Sequence, residues 1–222
     1  MENKLPIELS NDLQTILDSK KSIVAASNAT FFAEVINKIS SKLLSQKFIF
    51  WPDGILSYVI SYKLKKVPGR LLLERVLEDS KILNKKICFI GDSFHDKIAL
   101  LGEVDWKLIS VSYGTAKEIS REINDNLGDI VVINLPSPKQ EELAVILSEN
   151  NPLSKFYCTG GALNMLLGEE KIVPEIFNKT GLEWLWRLRT DTKRRLRRLI
   201  NILTFLPMGI YRFRKTFYHE KT

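Results

Sequence analysis

Two histidines and two cysteines are all that these 222 residues offer of the side chains that most often bind metals or carry redox chemistry. Cys88 and Cys158 stand far apart inside apolar stretches, without the spacing of a zinc knuckle or a redox pair, so a reducing, cytosolic setting is expected. His95 with Asp92 and Asp96 lacks further ligands at suitable spacing, and no metal or other cofactor is expected. Gly91-Asp92-Ser93 has the look of an esterase nucleophile block, but neither histidine lies in a downstream Asp-x-x-His segment that would supply the base. Long apolar runs are missing too. Leu199 to Tyr211 is interrupted by Asn201, Thr204 and Pro207 and falls short of the roughly 20 residues that span a bilayer, so no transmembrane helix is expected. The first ten residues lack the basic-then-apolar order of a signal peptide.

What is present is a globular composition, 45% apolar and 27% charged, which excludes a disordered tail, a collagen-like repeat and a disulfide-stapled miniprotein. The net charge of +7 is unevenly spread. Arg187 to Thr222 holds eleven basic residues against Asp191 and Glu220, leaving 22 basic and 24 acidic residues before it. A tail so charged is expected to meet something anionic. Leu185, Leu188, Leu196, Leu199 and Leu203 recur at helical spacing among Arg189, Lys193, Arg194, Arg197 and Arg198, which predicts a basic amphipathic helix. Beyond it, Phe205, Leu206, Met208, Ile210, Tyr211, Phe213, Phe217 and Tyr218 alternate with Arg212, Arg214 and Lys215, a mixture suited to a membrane headgroup boundary. An anionic membrane surface is the expected partner rather than nucleic acid, because no helix-turn-helix, RNP-like or zinc-finger signature accompanies the charge. The tail's apolar face could also pair with a second copy, so a homo-oligomer is possible on this pattern.

Upstream, short apolar runs alternate with helical patterns. Ser22 to Ala26, Lys47 to Trp51, Lys86 to Ile90, Trp106 to Ser112, Asp129 to Leu135 and Lys155 to Thr159 read as buried strands. Phe31 to Leu44, Ala116 to Asn126 and Pro138 to Glu149 read as helices, and Ile55 to Leu83 as mostly helical but broken at Pro68-Gly69. This βαβα order predicts an α/β, Rossmann-like, doubly wound, mostly parallel sheet over residues 1–180, with residues 181–222 as a C-terminal basic amphipathic helical appendage. In such sheets ligands bind beyond the carboxyl ends of the strands. Three turns there stand out. Trp51-Pro52-Asp53-Gly54 sets a carboxylate where it could act as general base. Ser137-Pro138-Lys139-Gln140 has the grammar of a helix start, with Ser137 as N-cap and Pro138 in the first turn, and Lys139 and Gln140 add donors beside an anion-friendly terminus. Gly160-Gly161 allows close approach of a ligand to the backbone.

In order along the chain, these pieces resemble the WecG/TagA/CpsF glycosyltransferases, glycosyltransferase family 26. The resemblance runs over about residues 20 to 200, through Asn28, Pro52-Asp53-Gly54, Glu74-Arg75, Gly91, Pro138-Lys139-Gln140-Glu141, Gly160-Gly161 and Gly168. It culminates in Gly181-Leu182-Glu183-Trp184-Leu185-Trp186-Arg187-Leu188. It implies a GT-E-like variant of the Rossmann fold. It also implies transfer of a sugar from a UDP-sugar donor to an undecaprenyl-diphosphate-linked saccharide acceptor, inverting and independent of metal, on the inner face of the bacterial cytoplasmic membrane. Capsule, exopolysaccharide and teichoic acid pathways use such enzymes. By the same resemblance Asp53 is the base, and Asn28, Lys139, Gln140, Glu141, Gly160 and Gly161 are the donor-binding set. With no metal expected, the leaving diphosphate falls to Arg187, Arg194, Arg195, Arg197 and Arg198 of the tail.

Departures from the family pattern are also visible. Ala26-Ser27-Asn28 stands where many members have Thr-x-Asn, Leu56, Leu77 and Leu135-Pro136 replace common glycines, and Asn164 replaces a frequent acidic residue. They leave room for an alternative: a catalytically inactive membrane-surface scaffold or a nucleotide-sugar-binding relative.

Overall fold

The computed structural model describes residues 4–53, 65–91, 105–111, 113–123, 126–169, 174 and 192–220. In chain order its elements are β1 (Leu5–Leu9), α1 (Leu13–Asp18), β2 (Ile23–Ala26), a π-helical turn (Phe31–Val35) running into α2 (Ile36–Lys38), α3 (Ser41–Lys47) and β3 (Phe48–Trp51). There follow α4 (Gly69–Ile82), β4 (Ile87–Gly91), β5 (Trp106–Ser110), α5 (Ala116–Glu122), β6 (Ile130–Asn134), α6 (Lys139–Asn150), β7 (Lys155–Cys158), α7 (Ala162–Leu166), α8 (Thr192–Thr216) and β8 (Phe217–Glu220).

The strands form one eight-stranded sheet in the order β5-β4-β6-β7-β2-β3-β1-β8, with every pairing parallel. Burial on both faces explains why β2, β3, β4, β6 and β7 read as apolar runs. Ile23, Ala25, Phe48, Phe50, Val131, Ile133 and Phe156 face one hydrophobic layer, while Val24, Ile49, Trp51, Val132 and Tyr157 face the other. Each fully buried side chain of this size contributes roughly 1.5–3 kcal/mol, so the two layers dominate the stability. The π-turn, α2, α3, α5, α6 and α8 send Phe31, Ile36, Leu44, Ile119, Leu143 and Phe213 into the first layer. Helices α1, α4 and α7 send Ile16, Leu72 and Leu163 into the second. The sheet is doubly wound, as expected.

Several local expectations are corrected. Strands β1 and β8 extend the sheet beyond the six predicted, and they pair with each other from opposite ends of the chain, Leu5 beside Phe217 and Ile7 beside His219. The predicted helix over Phe31 to Leu44 is broken at Ile39, where Ser40 caps α3 by accepting from the Leu43 amide at 3.3 Å. Phe213 and Phe217, expected at a membrane boundary, are buried: Phe213 packs edge-on to Phe32 with centroids 5.5 Å apart, and Phe217 lies 5.5 Å from Phe213. The helical appendage is present as expected, one continuous helix from Thr192 to Thr216 that runs through Pro207. Pro207 has no N–H to give the preceding turn, and it falls where the exposed half of α8 meets the docked half. Gly209 sits against the Phe32 backbone so closely that no Cβ would fit.

Candidate active site

The strands end level with one another: Ala26 pairs with Trp51, Ala25 and Ile133 with Cys158, and Gly91 with Asn134. From this edge the chain leaves β2 and β6 toward one face and β3 and β7 toward the other. Across the order β6-β7-β2-β3 the departures therefore alternate between the two faces. Crevices of this origin bind the ligand in open α/β sheets. A cavity of about 820 Å³ opens instead at the opposite, amino edge, lined by Lys86, Asp129, Asn151 and Ser154 among others, and it holds none of the candidate residues.

Asp53 stands two residues past β3, half-buried at the carboxyl edge. The Val67 amide donates to the Pro52 carbonyl at 2.7 Å, which ties the segment before α4 to the residue beside Asp53. Ser27, next along from β2, donates through both its amide (2.8 Å) and its hydroxyl (3.0 Å) to the Trp51 carbonyl. The ends of β2 and β3 are thereby locked together. Asn28 follows directly, and its Oδ1 accepts from the amides of Thr30 (3.0 Å) and Phe31 (3.1 Å), so its carbonyl oxygen starts the π-turn.

At the end of β6, Ser137 does not cap α6; Pro138 occupies that position after a cis Ser137–Pro138 bond. The Ser137 hydroxyl donates instead to Glu141 Oε1 at 2.7 Å and accepts from Gln140 Nε2 at 2.9 Å. Gln140 Nε2 also donates to Glu141 Oε1 at 2.9 Å, and Gln140 Oε1 accepts from the Gly160 amide at 2.9 Å. Gln140 and Glu141 are only 3% and 2% exposed. Burial, with the Glu141 charge adding to it, holds the Cys158 thiol well above its ordinary pKa, so this cysteine stays protonated. Gly160 has φ +53°, the left-handed region that glycine adopts without cost, and Gly161 leads into α7. Lys139, half-buried, opens α6, and its ammonium helps to lower the Glu118 pKa, chiefly set by the hydrogen bonds from the Thr115 amide and hydroxyl.

The structure thus gathers Asn28, Asp53, Lys139, Gln140, Glu141, Gly160 and Gly161 on one edge. Arg187 and Leu56 lie outside the described residues. Arg194, Arg195 and Arg198 are described as helical backbone of α8, and the Arg197 side chain is exposed. Glu74 and Arg75 lie on the outer surface of α4, paired with Arg70 and with Asp79, while Leu77 packs against the second layer. Helix α8 runs alongside the π-turn and α2 in the same direction, with Gly209 on Phe32 and Arg212 Nη1 donating to Asn37 Oδ1 at 3.1 Å. Its residues before Gly209 extend about 25 Å at 1.5 Å per residue, on the carboxyl-edge side of the sheet.

Sequence reasoning missed other polar groups of this edge. Asn134 closes β6 and donates to Asn164 Oδ1 at 2.8 Å. Asn134 Oδ1, Trp51 Nε1 and Thr159 Oγ1 are buried without a hydrogen-bond partner among the described residues. Each such group costs roughly 1–3 kcal/mol, and all three fall at the ends of β6, β3 and β7. The available signal was a polar residue closing an apolar run, as Asn134 does after Ile130–Ile133.

Comparison with known proteins gives the family. The family model described as "Glycosyl transferase WecG/TagA/CpsF family" matches residues 6–218. Among curated proteins the chain is similar to the N-acetylglucosaminyldiphosphoundecaprenol N-acetyl-beta-D-mannosaminyltransferase of Staphylococcus aureus strain MRSA252, 24% identical over 188 residues, or 78% of this chain and 72% of the relative. The enzyme of the same name from strain NCTC 8325 / PS 47 is 22% identical over 187 residues, with the same coverage. The match takes in the sheet from β1, the carboxyl-edge turns and α8 alike, and this chain belongs to the WecG/TagA/CpsF glycosyl transferase family.

Proposed function

We propose that the protein transfers a hexose or N-acetylhexosamine from a UDP-sugar to an undecaprenyl-diphosphate-linked saccharide during synthesis of a bacterial cell-surface polysaccharide. The observation that carries this reading is the carboxyl edge itself, which holds Asp53, the Gly160-Gly161 turn and three buried polar atoms unpartnered among the described residues, in a chain of this family. The acceptor class follows from the relatives, whose names specify a sugar on undecaprenyl diphosphate.

In this mechanism Asp53 takes the proton of the acceptor hydroxyl. The oxygen attacks the anomeric carbon from the face opposite the nucleotide, the bond from that carbon to the phosphate oxygen breaks, and UDP leaves with the electron pair. The product is inverted at that carbon. Negative charge grows on the departing diphosphate, and Arg187, Arg194, Arg195, Arg197 and Arg198 supply the compensating positive charge without a metal. Asn28 and Lys139 belong to the donor side, with Gln140, Glu141, Gly160 and Gly161. The basic, apolar-striped α8 brings this edge to the lipid substrate at the cytoplasmic membrane surface, with residues 1–180 as the catalytic unit.

The test is a panel of UDP-sugars with a short-chain lipid-diphosphate-linked sugar, with and without chelator, following UDP release and acceptor mass. A chelator-insensitive gain of one sugar is expected. UDP-sugar binding without any mass gain across the panel contradicts the transferase reading and favours a binding relative, and loss of the gain with chelator contradicts metal independence.

A further inference from the structure

The contacts of the Gln140 side-chain nitrogen are internal to the start of α6: it donates to Ser137 Oγ and to Glu141 Oε1, both at 2.9 Å. The side-chain oxygen is turned to the Gly160 amide at 2.9 Å. The orientation of the amide is not arbitrary. Glu141 Oε1 accepts from both the Ser137 hydroxyl and the Gln140 nitrogen, so the carboxylate requires donors on its side, which turns the Gln140 oxygen toward β7. Gln140 and Glu141 are buried and Ser137 is half-buried, and Cys158 Sγ reaches the Gln140 main-chain carbonyl at 3.7 Å from the end of β7.

We infer that Ser137, Gln140 and Glu141 are positioning residues: a hydrogen-bonded bolt from the start of α6 that fixes the left-handed Gly160 peptide, so that the Gly160-Gly161 backbone, and not the Gln140 side chain, meets the donor. Three points support this. The bolt spans the crevice between β6 and β7, whose following helices lie on opposite faces, beside the Asn134–Asn164 hydrogen bond. Gly160 has room around it, since a Cβ would find only the Gln140 amide, at 3.9 and 4.0 Å, so what constrains this residue is its φ and its amide bond rather than packing. Finally, a turn held by one side chain is displaced when that side chain changes, and misplacement of about 1 Å in a site can cost 100-fold in rate.

The inference rests on the donor site proposed above, so its test has one readout that needs no donor. Amide hydrogen exchange at Gly160 is measured in the full chain for the wild type, Gln140→Glu, Gln140→Met and the exchanged pair Gln140→Glu with Glu141→Gln. Turnover is measured beside it, well below each melting temperature. Gln140→Glu sets two carboxylates together, and protection of the Gly160 amide together with kcat/KM should fall, the latter by about 100-fold. The KM for the UDP-sugar should rise while that for the acceptor holds. The exchanged pair keeps an acceptor for Gly160 and replaces the two carboxylates by a donor–acceptor contact between positions 140 and 141, and should recover both readouts to within about tenfold. Ser137→Ala, which removes one arm and keeps the apolar frame, should give a smaller loss of both.

Unchanged Gly160 exchange in the single variants would overturn the bolt, as would exchange that stays fast in the exchanged pair. Restored protection with turnover still absent would show that the Gln140 amide itself touches the donor. Lost protection with kcat/KM unchanged would reduce the bolt to a fold staple. If the wild type transfers no sugar from any UDP donor, the donor assignment fails, and the exchange data still decide whether the bolt holds the turn.

Discussion

At the scale of single residues, Lys155 shows how far burial can push a charge. Its ammonium at the amino end of β7 donates to the carbonyls of Ile16 (3.0 Å), Leu17 (2.5 Å) and Ser19 (2.9 Å), which closes the last turn of α1. Burial lowers its pKa to about 8, Lys85 adds to the shift, and the Asp18 and Glu8 charges oppose it. Between about pH 8 and the ordinary value of 10.5, the unfolded chain binds a proton that the folded chain has released. Stability from this group therefore rises with pH across that window. Denaturant midpoints of wild type and Lys155→Met across it should move apart in favour of the wild type; a constant difference would contradict the assignment. Asp53 is legible in the sequence because an Asp-Gly turn closes an apolar run. The partners of Gln140 are not, because nothing in Ser-Pro-Lys-Gln-Glu tells a helix cap from a side-chain network closed by a glycine twenty residues on.

At the scale of elements, six of the eight strands show in the sequence, five of them as apolar runs because strands buried on both faces need no polar alternation. The two that do not show have a physical reason. Leu5–Leu9 contains Pro6 and Glu8, and Phe217–Glu220 ends in His219 and Glu220; each reads as a strand only once the other is beside it. The π-turn and the break at Ile39 are equally silent, since the apolar spacing of Phe31 to Leu44 fits an uninterrupted helix. Helix α8 is legible as a helix, but not the division of its labour. Leu196, Ile200, Leu203 and Tyr211 form an exposed stripe, with Leu203 62% exposed, while Leu206, Ile210 and Phe213 pack on the body. Gly209 makes that docking possible. Alanine there would gain about 1 kcal/mol of helix propensity, but its Cβ would overlap the Phe32 carbonyl oxygen and lie 2.6 Å from the carbonyl carbon. Overpacking of this kind costs about 1–3 kcal/mol, so Gly209→Ala should lower the melting temperature and loosen α8. A melt equal to or above that of the wild type would show that the helix is not held there.

At the scale of the whole molecule, a parallel sheet delivers every strand end to one edge, and α8 continues on that side with its basic residues and exposed stripe. The fold therefore sets the candidate chemistry and the apolar, positively charged surface at the same end. Among the described residues no helix is long and apolar enough to cross a membrane. Replacing Leu196, Ile200 and Leu203 together with serine should abolish binding to anionic vesicles and leave the melt unchanged, because these side chains do not enter the core. Undiminished vesicle binding would move the membrane contact elsewhere.

The central claim is that a strand-end carboxylate at this edge drives sugar transfer. It is tested most directly by acceptor mass after incubation of wild type and Asp53→Asn with the UDP-sugar that the panel identifies. The account predicts one added sugar with the wild type, and turnover lower by about 100- to 10,000-fold in the variant, with UDP-sugar binding and melting temperature kept. A well-folded Asp53→Asn protein that loses only a few-fold would contradict it.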